Sequence, residues 1–443
     1  MSAIALILTS LVLNFSFSFS VKYYGTKTLY EESFTNEEWK EVLKSKLDHP
    51  KTCHPIYLSA IFRHGTRSPS TSATKKTEGF ISRIKSYYNK IGRDNAQGHA
   101  EKLLNWSNRF SNVKDSMSLA EKGREEMRDL ASRFAKRIEP YINPTALRMA
   151  FTSSNKSRSI QSAESFRESF LSYYSIKDEI PVQLSDIRLR FFSDCPKLRN
   201  TIEKNKNALK EYYSFPETFA AQEVIKKINM ALNIPADLGI QKNELKSVFS
   251  FCGCENAVFG HSKICDLIEE HRTVFEYLSD LKAYWRNMYG YKLTSKVSCT
   301  LLKDIFEDML LVQRDHERGI ENFEQLHFQF GHAETLMPII AALGLFRDST
   351  PLRADEFKKN IDRKLRVSKI APFSTNLAFV LYHCKDENKE DYKLQLLFKE
   401  RPIPFPACES EILCDLEKVL KYYHWIMNEC HRNSMCEILR DEL

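Results

Sequence analysis

A largely apolar stretch, Pro55-Ile56-Tyr57-Leu58-Ser59-Ala60-Ile61-Phe62, runs straight into Arg63-His64-Gly65-Thr66-Arg67. A buried strand ending there sets two guanidiniums around an imidazole at one sheet edge, an arrangement suited to an anion, with Gly65 expected to permit a turn that a bulkier residue would resist. Two further clusters follow apolar runs. Leu147-Arg148-Met149-Ala150-Phe151 leads through Thr152-Ser153-Ser154-Asn155-Lys156-Ser157 to Arg158, at the expected start of a helix, and Phe330-Gly331-His332-Ala333-Glu334-Thr335 leads into another. Together the clusters offer three guanidiniums, two imidazoles and one carboxylate. Guanidinium forks bind phosphate oxygens bidentately and helix N-termini add oriented N–H groups, so the set suits a phosphoryl group. His64 can attack phosphorus as a neutral imidazole and Glu334 can protonate the departing alkoxide. The arginines would neutralise the developing charge, so the reading calls for no metal ion and no other cofactor.

The elements that must position these residues follow from periodicity. Strand-like runs cover 55–62, 146–152, 324–330, 376–383 and 392–398, with amphipathic helices between them. Ser118-Leu119-Ala120-Glu121 has the form of a capping box, behind which Met127, Leu130, Phe134 and Ile138 recur at helical spacing. Another helix is expected from Ser159 through Ala163, Phe166, Phe170 and Tyr174, and a third over 335–345. This alternation predicts an α/β fold, a mostly parallel central sheet flanked by helices. Open α/β sheets bind ligands beyond the carboxyl ends of their strands, where all three clusters fall. Residues 71–114 and 194–302 are helical in pattern and without a convincing strand, and read as an inserted helical cap domain on an α/β domain of 21–70, 115–193 and 303–443.

At 443 residues with 42% apolar content, the chain can build one large or two modest packed domains. Its 65 Lys plus Arg against 58 Asp plus Glu, net charge +7, describe a mixed-sign soluble surface and not a nucleic-acid-binding face. The apolar run from Ile4 to Leu13, followed by small residues, is expected to be a signal peptide ending near residue 20, too short to span a membrane, and no transmembrane segment is expected. The chain stops at Arg440-Asp441-Glu442-Leu443, a variant of the tetrapeptides by which a receptor retrieves proteins to the endoplasmic reticulum. The expected location is therefore the endoplasmic reticulum lumen, with partial secretion as the alternative. Eleven cysteines fit that oxidising compartment and leave one thiol over. Cys252 with Cys265 and Cys430 with Cys436 are candidate local pairs, and Cys252-Gly253-Cys254 has the wrong spacing for a zinc knuckle. Asn105 and Asn155 stand in glycosylation sequons, the latter three residues from Arg158.

Arg63-His64-Gly65-Thr66-Arg67-Ser68-Pro69 resembles the signature of the branch-two histidine phosphatases, the histidine acid phosphatases and phytases. His332-Ala333-Glu334-Thr335 looks like the form found in multiple inositol polyphosphate phosphatases, where most other members carry His-Asp. Tyr24-Gly25-Thr26-Lys27, Leu281-Lys282-Ala283-Tyr284-Trp285 with Gly290-Tyr291, and Leu381-Tyr382-His383-Cys384 are also similar, so the resemblance covers nearly the whole chain after the leader. It implies a phosphohistidine mechanism on His64, with Arg63, Arg67, Arg158 and His332 cradling the phosphate and Glu334 as proton donor. It also implies small polyanionic substrates, inositol hexakisphosphate and its lower forms, with 2,3-bisphosphoglycerate as a further candidate. Cys53 precedes the nucleophile strand and Cys384 ends another, so a bridge would tie the two ends of the sheet domain, as related phosphatases are similar in doing. One departure is Ser68, where related enzymes often carry an aromatic residue. Beyond the resemblance, inositol is supported only by the basic cap residues Lys75, Lys76, Lys204, Lys206, Lys210, Lys226 and Lys227. A broad-specificity acid phosphatase on the same scaffold and a non-catalytic anion-binding protein remain the alternatives.

Overall fold

A computed structural model describes residues 22–438, apart from 45, 48, 114, 142, 144–146, 321 and 388. The expected signal peptide, residue 146 of the expected second strand and the tail Arg440–Leu443 therefore lie outside the described residues.

Eight strands form one mixed sheet: β1 (Cys53–Arg63), β2 (Met149–Ser153), β3 (Val182–Leu184), β4 (Leu326–Gly331), β5 (Asn376–Lys385), β6 (Glu390–Phe398), β7 (Arg401–Ile403) and β8 (Leu413–Asp415). The order is β3-β2-β4-β1-β5-β6-β7, with β8 also on β6. From β3 to β1 the pairs are parallel; β5 and everything beyond it pair antiparallel. The α/β class holds, but only half of the sheet is parallel. β5, β6 and β7 are joined by hairpin-length links with no room for a crossover helix, and such links run antiparallel.

Register places the chemistry. Phe62 of β1 sits opposite Phe330 of β4, which sits opposite Ser153 of β2. The three strands thus end level, and the segments after them emerge at one edge. Side chains of β1 alternate between two cores, with Leu58, Ala60 and Phe62 on one face and Tyr57 and Ile61 on the other.

Seven longer helices matter for the site: α1 (Thr71–Ile91), α2 (Glu121–Ile138), α3 (Ser157–Tyr173), α4 (Leu245–Phe259), α5 (Arg272–Asn287), α6 (Cys299–Glu317) and α7 (Ala333–Ala342). Met127, Leu130, Phe134 and Ile138 bury one stripe of α2, and Phe134 meets Phe62, Phe166 and Phe328 edge-on in an aromatic layer beneath the sheet. The expected capping box does not form. The cap position is Ala120, and the Ser118 hydroxyl turns back to the Asp115 carbonyl, because the Ser118 backbone is already paired with Ser68. Helix α7 begins earlier than its apolar pattern suggests, at Ala333, because the Thr335 hydroxyl accepts the His332 N–H at 3.0 Å and starts the turn there. Among the described residues no strand falls within 185–325, which is helical, and α6 runs unbroken through position 302. Among the described residues no helix is long and apolar enough to cross a membrane.

Five disulfides close the structure: Cys53–Cys384, Cys195–Cys436, Cys252–Cys265, Cys299–Cys430 and Cys408–Cys414. The expected pair Cys430–Cys436 is not made. Each of these instead reaches a distant helical segment, so the C-terminal stretch is fastened down rather than looped on itself. Cys254 is the free thiol and is buried.

Candidate active site

β1 delivers Arg63 and His64 to the sheet edge. The His64 N–H donates to the Gly331 carbonyl at 3.0 Å, and the Gly65 N–H to the Ser162 hydroxyl at 3.1 Å. Gly65 is required for a close approach and not for a turn: its φ is not left-handed, and a Cβ there would collide with the carbonyl of Gly123 in α2. His64 Nδ1 lies 2.9 Å from the Gly65 carbonyl oxygen, which can only accept, so the proton is assigned to Nδ1 and the lone pair to Nε2. Burial and then the Arg63, Arg158 and Arg67 charges push the imidazole pKa well below its ordinary value, so the ring is neutral and nucleophilic across the physiological range.

Around it lies a cavity of about 220 Å³ lined by Lys27, Arg63, Arg67, Arg158, Lys246, Lys282 and Arg286, with Glu334 as its carboxylate. Arg63 is 2% exposed; one amino group donates to the Thr26 and Ala371 carbonyls, each at 2.7 Å, and its plane stacks 4.5 Å from the Phe373 ring. Arg67 is anchored on the Ser68 carbonyl at 2.8 Å. The Nε atoms of Arg63, Arg67, Arg158 and Arg286 are buried without a protein partner. Four unmet guanidinium donors around one cavity are expensive unless an anion meets them. Burial and mutual repulsion show in their acidities: burial, then Arg67, takes Arg63 down to about 9, and burial, then Arg67, takes Arg158 down to about 10. Burial pushes the Lys27, Lys246 and Lys282 ammoniums down too, Lys246 further through its neighbour Lys282. These two lysines stand 5.1 and 5.4 Å from the face of the Tyr212 ring.

His332 stands behind the cavity lining. Its Nδ1 is 3.3 Å from an Arg158 amino group and its Nε2 is 2.9 Å from the Ser154 hydroxyl. Both ring nitrogens are thus occupied by the protein, and the imidazole, pushed down to about 3 by burial and then by Arg158, is placed against Arg158 and not toward the cavity centre. Burial alone would raise the Glu334 carboxyl, but its cationic neighbours, His332 when protonated and Arg286 and Arg63 throughout, reverse that and hold it below the ordinary carboxylate range. Neutralising those cations would raise its proton affinity. No group of three or more His, Cys, Asp or Glu among the described residues is placed to hold a metal ion.

The structure therefore brings Arg63, His64, Arg67, Arg158 and Glu334 to one cavity, with His332 in contact with Arg158. None of Lys75, Lys76, Lys204, Lys206, Lys210, Lys226 and Lys227 lines it; most stand on solvated helix faces. The cations missed by sequence reasoning are Lys27, Lys246, Lys282 and Arg286. Lys27 and Lys282 lie inside stretches quoted above. Ser279, Lys282, Ala283 and Arg286 share one face of α5 at helical spacing, a signal that could have been read had that face been known to be covered. Ser68 is buried and its hydroxyl accepts the Ser118 N–H at 3.0 Å, so the adjacent cavity wall comes from Met117.

A strand-end Arg-His-Gly loop, an arginine-rich cavity and a helical cover define a phosphoryl-handling α/β enzyme. The model of the histidine phosphatase superfamily (branch 2) matches residues 56–399, and the chain belongs to that family of histidine-type phosphatases. It is 34% identical over 428 residues to multiple inositol polyphosphate phosphatase 1 of Gallus gallus, covering 94% of this chain and 92% of the relative. To the Homo sapiens protein of the same name it is 31% identical, covering 94% and 89%. Among solved structures, the Bifidobacterium longum multiple inositol polyphosphate phosphatase in complex with inositol hexasulfate superposes with a TM-score of 0.71 at 14% identity, covering 92% and 98%, and shares the fold.

Proposed function

We propose that this protein removes phosphates from inositol polyphosphates, inositol hexakisphosphate and its lower forms, through a phosphohistidine on His64. His64 Nε2 attacks phosphorus while Arg63, Arg67 and Arg158, the last steadied by His332, hold the equatorial oxygens. As the P–O bond breaks, the leaving alkoxide takes a proton from Glu334; water then attacks the phosphohistidine, gives its proton to Glu334, and inorganic phosphate leaves. The observation that carries the reading is the seven-cation cavity around a neutral imidazole with a free lone pair: a monoester occupies three arginines, and Lys27, Lys246, Lys282 and Arg286 are left for further phosphates on the same molecule. The 31–34% identity to multiple inositol polyphosphate phosphatases supports it.

The test is phosphate release from inositol hexakisphosphate by purified protein, with isomer analysis, beside p-nitrophenyl phosphate and 2,3-bisphosphoglycerate. We expect an acid-labile phosphoenzyme on rapid quenching and no turnover in His64→Ala. A wild type that prefers simple monoesters would make it a broad acid phosphatase; no trapped phosphoenzyme would remove the covalent step. The proposed site of action is the endoplasmic reticulum lumen, supported by the apolar leader, the terminal Arg440-Asp441-Glu442-Leu443, five disulfides and the exposure of both sequon asparagines, Asn105 and Asn155.

A further inference from the structure

Behind the nucleophile loop, on the side away from the cavity, Glu126 of α2 is buried at 8% exposure. Its Oε2 accepts the Thr66 N–H at 2.8 Å and the Ser374 hydroxyl at 2.6 Å, and its Oε1 accepts the Thr66 hydroxyl at 2.8 Å. Thr66 lies between His64 and Arg67. Ser374 belongs to the segment that covers Arg63: its N–H reaches the His64 carbonyl at 3.3 Å, its neighbour Phe373 stacks on Arg63, and its own φ of 59° is left-handed, a conformation that a serine holds only when its surroundings impose it. One turn before Glu126, Gly123 lets α2 touch the loop backbone, since a Cβ there would collide with the Thr66 carbonyl. The Ala120 N–H donates to that same carbonyl at 2.9 Å.

We infer that Glu126 is a positioning residue for phosphoryl transfer: by gripping Thr66 and Ser374 together it fixes the distance between His64 Nε2 and the Arg63 and Arg67 guanidiniums. The inference rests on the phosphohistidine reading above. Glu126 lines no part of the cavity and cannot touch substrate, so it acts through the backbone of the loop. Its function is one of hydrogen-bond geometry. A glutamine can reproduce it, with its carbonyl oxygen accepting from the Thr66 N–H and Ser374 and its amide donating to a rotated Thr66 hydroxyl. An alanine removes both acceptor oxygens, and with them all three hydrogen bonds, and leaves a buried N–H without a partner.

The experiment compares Glu126→Ala, Glu126→Gln and Ser374→Ala by single-turnover phosphorylation with p-nitrophenyl phosphate and by titration with inorganic phosphate. Misplacing a reacting atom by about 1 Å costs ~10²-fold, so the burst rate constant of Glu126→Ala should fall on that order while the burst amplitude per folded molecule stays at one. Phosphate affinity should weaken with it, and Glu126→Gln should restore both to within a few-fold. A structural role alone would lower the folded fraction and melting temperature and leave the rate constant of the folded molecules unchanged, overturning the inference; so would a glutamine variant as slow as alanine. If Glu126→Ala does not fold, Ser374→Ala decides, with a several-fold slower burst expected and an unchanged one refuting. The two readings fail separately: loss of the wild-type phosphoenzyme removes the nucleophile, whereas a positioning effect on the arginines is still read from phosphate affinity.

Discussion

Replacing Glu334 by Gln tests whether the proton donor is made by its own substrate. In the free protein the carboxyl is held below its ordinary value by the cations around it. At pH 5 it is then ionised, and each pKa unit by which binding raises it corresponds to ~1.4 kcal/mol. One phosphate charge ~5 Å away at an effective dielectric of ~20 contributes about 3.3 kcal/mol. One phosphate charge in the cavity is therefore worth about 2 pKa units, and binding should draw a proton onto Glu334 at acid pH. Without that proton an inositol alkoxide leaves poorly, so Glu334→Gln should slow inositol hexakisphosphate turnover ~10²- to 10⁴-fold. A nitrophenolate needs no proton, so the phosphorylation burst from p-nitrophenyl phosphate should stay within a few-fold of the wild type. Stopped-flow bursts and steady-state phosphate release on the same samples give both numbers. Equal slowing of both substrates would show that Glu334 merely supports the start of α7, where a carboxylate is favourable, and would move the acid elsewhere.

The double variant Lys246→Met, Lys282→Met should raise KM for inositol hexakisphosphate at least 10-fold while leaving p-nitrophenyl phosphate kinetics unchanged; a loss shared by both substrates would refute distal phosphate binding there. Since burial lowers both ammonium pKa values in the free protein and an anion raises them, polyphosphate binding should tighten as pH falls, and calorimetry in two buffers should show proton uptake that the variant loses. Activity should survive a metal chelator, whereas inactivation by EDTA and rescue by zinc would recast His64 and His332 as ligands. Deleting Arg440–Leu443 should send the protein to the medium; equal secretion of intact and truncated chains would show that the tetrapeptide is not read.

What the sequence disclosed divides by the range of the interaction that decides it. Strands were legible because apolar runs such as 55–62 and 376–383 are bounded by charge or turn residues, and the three clusters followed because strand ends fix where a side chain emerges. Helix starts were less legible: the serine that should cap α2 is engaged by Ser68, fifty residues earlier, and no local pattern carries that contact. The lysines show the same limit more sharply. Lys226 and Lys282 look alike on their helices, and only the packing of α5 over the sheet edge turns one into the cavity while the other meets solvent. Disulfides behaved likewise, since nearness in sequence favoured Cys430 with Cys436 whereas the fold gives each a partner far away. Glu126 carried no signal at all, being one more glutamate in a charged amphipathic helix.

The position of β1 at the centre of the sheet also governs when activity can arise. Its neighbours are β4, where Leu58 pairs with Leu326, and β5, where Cys53 pairs with Cys384. The strand that carries His64 is among the first parts of the chain to be synthesised and among the last to be paired on both edges. At ~5–20 residues per second, the ribosome needs on the order of 15–65 s to travel the 331 residues from Cys53 to Cys384. Over that interval an apolar strand waits without a sheet, a natural client for chaperones, and His64 has neither the Gly331 carbonyl nor the segment over Arg63 to hold it. On the phosphohistidine proposal, a nascent or prematurely terminated chain is catalytically silent, and turnover begins only after the final third of the polypeptide has folded back across its beginning.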